Sequence, residues 1–413
     1  MSKVLSIASL LVLLLPAPGA SQWLPSEPVR LFEGRVRLGG EVSATIGSKD
    51  DEAYFNYTEY ERNVLRTVRA ALSAQWQPAE RLAFLGEVRT DDLDHLGAYA
   101  AFVRVRLWRR FPLDVQAGRI PPVFGAFGRR AYQSDRMLIG YPLAYQYLTS
   151  IRADALPGGA DDLLRMRGRG WLSSFPIGSA QAAAGLPLVS AFRWDTGVQA
   201  RWTASAVDAA VAITSGTLAN PRVRDDNGGK QIAGRIGTRP VTGLLVGASA
   251  ARGPWVADDV PGASQSLAQT AVGADIEYSR DHWLVRSELV WSRWDLPLNT
   301  IPAESDHLSA LATWIEGRYR WTPRLYLAAR VDRLGFARIS GELSGGVRTP
   351  WEAPVTRLEA GAGYSLARNL VLRAVLQRNH REGGRIAGCC PPRSPGGSER
   401  PHRDGRPARL AAQ

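Results

Sequence analysis

Cysteine and lysine are scarce in this 413-residue chain. The two cysteines, Cys389 and Cys390, lie side by side near the end, so the body can hold neither a disulfide framework nor a cysteine-based metal site. Lysine occurs only at Lys3, Lys49 and Lys230, so the formal charge of +12 comes almost entirely from arginine. Five arginines and two acids beyond Ala387 supply +3 of it, so the charge gives little reason to expect a nucleic-acid partner.

Long apolar runs are also missing, since no segment of the body reaches the roughly 18 apolar residues of a transmembrane helix. The apolar run from Val4 to Leu15 follows Lys3 and ends in small residues up to Ala20. This pattern predicts a secretory signal peptide over residues 1–20 and hence an exported chain. The sequence has no phosphate-binding glycine loop before a helix, no HExxH and no CxxC, so we expect neither a cofactor nor a metal.

The body is rich in segments that alternate apolar and polar residues. In RVRLGGEVSATIG, Val36, Leu38, Val42, Ala44 and Ile46 alternate with polar residues, and the pattern returns near residues 325–332, 357–365 and 370–377. Alternation with a period of two is typical of strands with one apolar face. Segments of about ten residues are long enough to cross a bilayer at a tilt.

Seven short turns join these strands in pairs, near Pro78, Pro112, Ala206, Pro240, Asp281, Pro323 and Arg368. Aromatic residues accompany most turns, as in the interface girdle of a membrane barrel: Trp76, Trp108, Trp202, Tyr278, Trp283, Trp321 and Tyr364. Longer polar segments connect the pairs. Short turns at one end and long loops at the other predict an all-β, transmembrane, antiparallel up-and-down β-barrel.

The strand count is odd. Seven hairpins and the strand near residues 35–46 make about fifteen strands, whereas closed bacterial barrels have even numbers, so we expect sixteen with the last one missing or replaced. The missing strand should follow Gly383 and Gly384, where the sequence becomes rich in proline, glycine and arginine. One interpretation is a shifted reading frame near codon 386; the other is a genuine disordered basic tail after an open or unusual barrel.

The resulting organisation is a signal peptide over 1–20, a short periplasmic segment over 21–32, a barrel over 33–386 and a disordered, frameshifted tail over 387–413. The gap between the turns at Pro112 and Ala206 is about twice the others, which indicates an insertion in the third long loop, residues 121–192. Residues 167–174 and 188–194 could form an additional hairpin there, which would give 18 strands.

The phrase GRIPPVFGAFGRR, residues 118–130, is similar to the segment that opens the constriction loop of many bacterial outer-membrane porins. Together with the signal peptide, the alternating strands, the girdled turns and the long third loop, the chain resembles these porins, including the phosphate-selective type, over residues 33–377. The resemblance implies an outer-membrane location, a lipid environment, passive diffusion of small hydrophilic solutes, and a homotrimer. It also implies a third loop that narrows the pore, with constriction residues Arg119, Arg129, Arg130, Asp135, Arg136, Arg152 and Asp154.

Fixed charge on a water-filled lumen selects ions by its field. Residues 119–169 contain eight arginines and four acids, which favours anions weakly. The predicted lumen wall carries Arg37, Arg69, Arg104, Arg286, Arg330 and Arg373. The same strand faces also carry acids, so these arginines also fit a wall stiffened by ion pairs; the acids are Glu41, Glu87, Asp275, Glu277, Glu288 and Glu359. The tyrosines at positions 132, 141, 145 and 147 fit either a stacking track for sugars or simple packing of the loop.

Two other function classes stay open. An outer-membrane barrel hydrolase would use a loop-end cluster of His, Asp and Ser, and the candidates are DDLDH with His95 and ESDH with His307. A structural or adhesive barrel needs no pore at all. A gated transporter is disfavoured, because residues 21–32 are too few for a plug domain. We expect a pore and no enzyme.

Overall fold

The computed structural model describes residues 6–10, 28–48, 55–57, 63–93, 95–128, 132–204, 206–222, 228–264, 266–297 and 307–383. In these ranges fifteen long strands dominate the structure. They are β1 Val36–Ile46, β2 Val68–Ala79, β3 Leu82–Asp91, β4 His95–Arg106, β5 Leu113–Ile120, β6 Asp195–Thr203, β7 Val207–Thr214, β8 Gln231–Val241, β9 Leu244–Pro254, β10 Ala268–Arg280, β11 Trp283–Asp295, β12 His307–Arg320, β13 Leu325–Phe336, β14 Val355–Ala367 and β15 Leu370–Arg381.

Every long strand pairs antiparallel with the next one along the chain, including β5 with β6 across the third loop. The short strand Ser6–Leu10 pairs with β15 on one side and with β1 on the other, so the sheet closes with sixteen strands. The prediction of an antiparallel up-and-down β-barrel of about sixteen strands is confirmed.

The closure between β15 and β1 is the weakest part of the ring. Ser6–Leu10 pairs with five residues of β15, from Arg373 to Gln377, but only with Thr45 and Ile46 of β1. The other end of the same β1 edge, Val36 to Leu38, is covered by the three-residue strand Val29–Leu31, which a 3₁₀ turn, Phe32–Gly34, connects to β1. The fifteen long strands therefore leave a place one strand wide between β15 and β1.

The turns divide the barrel into two ends. Seven short turns, at the seven predicted positions, join β2 to β3, β4 to β5, β6 to β7, β8 to β9, β10 to β11, β12 to β13 and β14 to β15. We call this the short-turn end. The other connections lie at the opposite end, which we call the long-loop end. All of them are longer except the tight turn between β3 and β4.

The two faces of the sheet differ in polarity. On β12, Leu311 and Ile315 are exposed on the outer face, whereas Trp314 and Glu316 are buried on the inner face. The same alternation gives exposed Leu327 and Val331 against buried Arg330 on β13. Of the predicted girdle, six residues are exposed near the short-turn end: Trp76, Trp108, Tyr278, Trp283, Trp321 and Tyr364. The barrel thus has an apolar outer surface with an aromatic rim.

The described helices are short. The third loop, residues 121–194, contains a 3₁₀ turn at Gln133–Asp135, helix α1 at Leu143–Gln146, helix α2 at Ala160–Met166 and a two-stranded pair of Ala155–Leu156 with Ile177–Gly178. The loop before β14 contains Arg338–Ile339 paired with Thr349–Pro350, and a 3₁₀ turn at Glu342–Ser344. In the described part of the chain, no helix is long and apolar enough to cross a membrane.

The additional hairpin predicted for residues 167–174 and 188–194 is wrong. Residues 167–174 contribute only one isolated bridge, between Ser173 and Ala183, and residues 188–194 contribute no strand. The physical reason is burial: Leu188, Val189 and Ala191 are all inside the protein and do not alternate with exposed residues. An apolar stretch buried on every side is a loop core and not an extra pair of wall strands.

Candidate functional site: the third loop inside the barrel

The third loop lies inside the ring of strands. Phe124, Tyr141 and Tyr145 are completely buried, although they belong to a connection outside the sheet. Their partners are on distant strands, since Tyr145 contacts Glu288 of β11 and the Tyr141 backbone contacts Arg357 of β14. The loop therefore crosses the lumen from the β5 side to the opposite wall.

Acidic side chains hold the loop there by accepting its backbone N–H groups. Glu288 accepts the N–H of Ala126 at 3.0 Å, and Glu359 accepts that of Gly140 at 3.0 Å. Five acids act in this way, and we call them the anchor carboxylates: Glu41, Glu288, Asp332, Glu352 and Glu359. Charged acceptors make stronger hydrogen bonds than neutral ones, and these bonds satisfy loop amides that have no sheet partner.

Arg330 on β13 neutralises two of the anchor carboxylates. Its guanidinium donates to Glu359 at 2.6 Å and to Asp332 at 3.0 Å, and Glu316 lies at 3.5 Å. Arg330 is only 2% exposed, so these charges are paired away from bulk water. A buried charge is tolerated only when it is paired and hydrogen-bonded, so Arg330 allows this part of the wall to carry several acids.

The loop tyrosines make hydrogen bonds with charged side chains at several places around the barrel. Tyr145 donates to both carboxylate oxygens of Glu288 at 2.9 Å, Tyr147 donates to Glu352 at 3.2 Å, and Tyr132 donates to Glu87 at 2.6 Å. Tyr141 accepts a hydrogen bond from Arg69 at 2.7 Å. The rings of Tyr141, Tyr145 and Tyr147 are buried, which favours packing of the loop over a stacking track for sugars.

Burial shifts the protonation of several loop groups. Burial and the neighbouring Glu288 carboxylate raise the pKa of Tyr145 well above its usual range. Burial and Glu352 do the same to the pKa of Tyr147. Burial also raises the pKa of Glu352, against the opposing effect of its backbone N–H donors. These tyrosines therefore stay protonated, as donors to the wall, far into the alkaline range.

A cavity of about 380 Å³ remains between the loop and β6–β12, near the short-turn end. Phe127 and Trp314 form an apolar side, with ring centroids 6.1 Å apart. The charged lining consists of five arginines and five acids: Arg136, Arg201, Arg235, Arg239, Arg286, Asp135, Asp208, Asp275, Glu277 and Glu316. We call this space the lumen cavity. Its lining has no net formal charge.

Arg136 is a buried loop arginine in the lining of the lumen cavity, and it makes few hydrogen bonds. It is 5% exposed, donates one hydrogen bond to the carbonyl of Ile139 at 2.9 Å, and lies over the ring of Tyr141 at 4.0 Å. Its Nε and Nη2 atoms have no hydrogen-bond partner within the described residues. Burial lowers the pKa of Arg136 to about 10, so the guanidinium is still charged at neutral pH. It is a buried cation with free donor capacity.

The predicted constriction residues do not form one cluster. Asp135 and Arg136 line the lumen cavity. Arg119 is at the long-loop end of β5 and donates to the carbonyls of Ala98 and Trp194, so it braces the wall. Arg152 pairs with Asp154 at 2.7 Å and donates to the carbonyls of Ser173 and Gln181, which holds the loop's own fold. Arg129 and Arg130 lie outside the described residues.

The predicted lumen-wall arginines fall into three groups. Arg69, Arg330 and Arg373 are buried, and each contacts a carboxylate or a tyrosine hydroxyl. Arg286 pairs with Glu277 at 2.9 Å and lines the lumen cavity. Arg37 is exposed and Arg104 is half-buried. The buried members contribute to the wall's internal ion pairs.

Within the described residues, the acidic side chains proposed for a hydrolase already make structural contacts. Asp91 pairs with Arg69, and Asp92 accepts hydrogen bonds from Thr67 and from the backbone of Val68. These residues make a tight turn, since Asp92 and Leu93 both have positive φ. The side chain of His95 and residues 304–306 lie outside the described part. No group of three metal-binding side chains occurs among the described residues.

Sequence reasoning missed Glu352 and Trp314. Glu352 accepts hydrogen bonds from Ser150 at 3.0 Å and Gly168 at 2.5 Å, but it lies in a loop without a strand pattern. Trp314 is placed in the middle of β12 among inward-facing residues, and its indole N–H has no partner within the described residues. Trp314 follows Ala312 on the inward face of β12 and precedes Glu316, so it is the last apolar residue of that face before the charged ones.

No protein-family model matches the chain, and no curated protein sequence matches it. Solved structures of outer membrane proteins and porins do match. OmpT, an outer membrane protein of Vibrio cholerae, is 9% identical with a TM-score of 0.46, over 86% of this chain and 99% of that one. An anion-selective porin from Comamonas acidovorans is 9% identical with a TM-score of 0.45, over 92% and 100%. OmpF of Salmonella typhi, in complex with daunomycin, is 10% identical with a TM-score of 0.43, over 92% and 98%. Likeness at this level assigns no activity to the present chain.

Proposed function

We propose that this protein is an outer-membrane porin, a β-barrel in lipid whose lumen passes small hydrophilic solutes by passive diffusion. The outer face supports the membrane placement, because exposed apolar side chains such as Leu311, Ile315 and Val331 alternate with buried polar ones. The exposed aromatic residues at the short-turn end would lie at the headgroup level. The predicted signal peptide fits export to that membrane.

The observation that carries the proposal is the third loop fixed across the lumen by the anchor carboxylates. A loop that is held on the far wall by hydrogen bonds to charged acceptors narrows the interior without sealing it by a separate domain. The space that remains next to it is lined by charged groups, which suits hydrated solutes.

Ion selectivity is expected to be weak. Five arginines and five acids line the lumen cavity, so their fields largely cancel. The lean to anions predicted from the arginine-rich loop stays a prediction, and Arg136 is the loop arginine that lines the lumen cavity. A barrel enzyme is disfavoured, because Asp91 and Asp92 already hold the β3–β4 turn.

Planar-bilayer recording of the refolded full chain tests the proposal. Discrete conductance steps with a reversal potential near zero in a salt gradient are the expected result. A barrel that inserts but passes no current would overturn the pore and favour a structural or adhesive barrel. Replacing His95 and His307 together should leave the conductance unchanged, whereas loss of a hydrolytic turnover would favour the enzyme. A homotrimer stays a prediction, and the mass of the detergent-solubilised complex measures it.

A further inference from the structure

The inner wall from β10 to β14 carries a row of alternating charges. In register across these strands, the row consists of Glu277, Arg286, Glu316, Arg330 and Glu359. Arg286 lies 2.9 Å and 3.7 Å from its two neighbouring acids, and Arg330 lies 3.5 Å and 2.6 Å from its own. Each arginine of this row is therefore neutralised by acids on the adjacent strands, as a buried charge requires.

The next two inner-face rows, nearer the short-turn end, have arginines without acids. On β11 to β15 the first of them consists of Leu284, Arg318, Ala328, Gly361 and Val375, and the second of Arg320, Tyr326, Gly363 and Arg373 on β12 to β15. Where the alternating row has Glu359 on β14, these rows have glycine. Three arginines on these described strands thus lack an acid beside them, and we call Arg318, Arg320, Arg373 and Tyr326 the arginine patch.

Tyr326 brings two of the arginines together. Arg373 donates through Nε to the Tyr326 hydroxyl at 2.8 Å, and Arg318 Cζ lies 5.7 Å from the centre of the same ring. The charges of Arg320 and Arg373 both act on Arg318. The Tyr326 hydroxyl donates in turn to the carbonyl of Met137 at 3.0 Å, so the patch lies against the third loop. The two guanidinium groups are therefore separated by about the length of one tyrosine side chain.

The ends of these two guanidinium groups are open to the lumen. The Nη atoms of Arg318 and Arg373 have no acceptor in the described part of the chain, and they are accessible to solvent, unlike the buried Nε of Arg318. Each residue therefore presents an end-on fork of two nitrogens. Such a fork matches the two oxygens of one carboxylate, with which it makes two parallel hydrogen bonds.

The other cations near the patch do not offer a comparable fork. Arg286 is already paired with Glu277 and Glu316. The unpartnered nitrogens of Arg136 are buried and do not open into the lumen. Arg320 is exposed and adds a third positive charge at the short-turn side. The patch thus has a local surplus of positive charge, whereas the lining of the lumen cavity is neutral overall.

We propose that the arginine patch binds a small dicarboxylate, with one carboxylate on the fork of Arg318 and the other on the fork of Arg373. The proposal rests on the proposed function, because the solute reaches the patch through the lumen. The two forks contact different parts of Tyr326, so two negative groups on separate carbons suit them, whereas a monocarboxylate fills only one. Phosphate concentrates its charge on a single centre and is the competing anion in the test.

The test uses succinate on the refolded full chain. In planar bilayers carrying a potassium chloride current, succinate should reduce the current in a saturable way. Butyrate, which has one carboxylate on a chain of the same length, should need at least about a tenfold higher concentration. Arg318→Gln and Arg373→Gln should each raise the half-blocking succinate concentration at least about tenfold, because each removes one fork.

Arg106→Gln is the matched control. It removes the same charge from the inner face of β4, also near the short-turn end, where Asp114 already pairs with Arg106 at 2.8 Å. This variant should change the half-blocking concentration by at most about twofold. Equal losses in Arg106→Gln, Arg318→Gln and Arg373→Gln would mean that net charge is responsible, and they would overturn the proposal.

The remaining outcomes separate the site from the pore. Calorimetric titration of the detergent-folded protein with succinate measures binding without any current, so a barrel that binds succinate but never conducts refutes the pore and keeps the site. Conductance with neither saturable block nor calorimetric binding refutes the site alone. Inorganic phosphate that blocks at a lower concentration than succinate overturns the assignment to dicarboxylates. If a glutamine variant does not fold, Arg318→Lys and Arg373→Lys keep the charge and lose the fork, and unchanged block in both counts against the site.

Discussion

Arg330 Nη2 donates to Glu359 at 2.6 Å, and the carboxylate of Glu359 in turn accepts the backbone N–H of Gly140 in the third loop. A wall cation, a wall acid and a loop amide thus form one chain of contacts across the lumen. These contacts couple the wall to the loop, so replacing Arg330 or Glu359 should displace the loop.

Removing Arg330 should destabilise the protein strongly. Arg330→Gln leaves Asp332, Glu316 and Glu359 buried without their shared cation, and breaking a buried ion pair on one side costs about 3–5 kcal/mol. The free energy of unfolding in urea, measured on the folded barrel in detergent, checks this value. Arg109→Gln breaks an exposed pair with Glu80 and should change it by at most about 1 kcal/mol. Equal effects in the two variants would contradict the role given to Arg330.

Gly125 should not tolerate a side chain. Its φ is +71°, and a Cβ there would collide with the carboxylate of Glu288 and lie 2.5 Å from the hydroxyl of Tyr145. Gly125→Ala should therefore cost about 1–3 kcal/mol and displace the loop at its first anchor. Limited proteolysis should cut the loop faster in this variant.

Gly128→Ala is the matched control for Gly125. It lies three residues further along the same loop, and its Cβ would meet the ring of Pro122 at 3.2 Å and Tyr145 only at 3.9 Å, an ordinary van der Waals contact. A loop that is cut equally fast in both alanine variants would show that the Glu288 anchor does not hold it.

Tyr145 should ionise late. Its folded pKa is raised by burial and by Glu288, so the stability it contributes is present below the unfolded value of about 10 and is lost as pH rises through the folded value. Absorbance near 295 nm at about pH 11 should show fewer tyrosinates in the folded protein than in the unfolded one. Tyr145→Phe should leave the folded signal unchanged and lower only the unfolded signal. A drop in the folded signal would mean that Tyr145 is already ionised there.

The gene should encode a further strand in another reading frame. Fifteen long strands leave a place one strand wide between β15 and β1, and in this structure Ser6–Leu10, from the predicted signal peptide, pairs across it. We propose that the native sixteenth strand follows residue 383 and was replaced by a shift near codon 386. Reading the two other frames should reveal about ten alternating residues that end in an aromatic residue. If neither frame contains them, the basic tail is genuine. The tail itself lies outside the described residues.

The strands were predictable because their signals are local. Alternation in segments such as 325–332, with a turn residue beside an aromatic one, depends only on neighbours in the sequence. The spacing between Pro112 and Ala206 predicted a long third loop over residues 121–192, and in the structure the connection between β5 and β6 runs over residues 121–194.

The site was less predictable because its contacts are distant. Gly140 and Glu359 are separated by 219 positions, and no periodic pattern reports such a pair. For the same reason sequence reasoning grouped Arg152 with Arg136, although Arg152 is used inside the loop's own fold.

The anchor carboxylates contact main-chain amides at Ala126, Gly140, Leu143 and Ser150. Every residue type except proline offers such an amide, so this part of the hold on the loop does not depend on side-chain chemistry, apart from the close approaches at Gly125 and Gly140 that require glycine. At its other positions the loop can therefore exchange the groups that face the lumen cavity while its path across the barrel stays the same. The architecture separates the fixing of the loop from the chemistry of the cavity beside it, and the second can be altered by point substitutions without refolding the first.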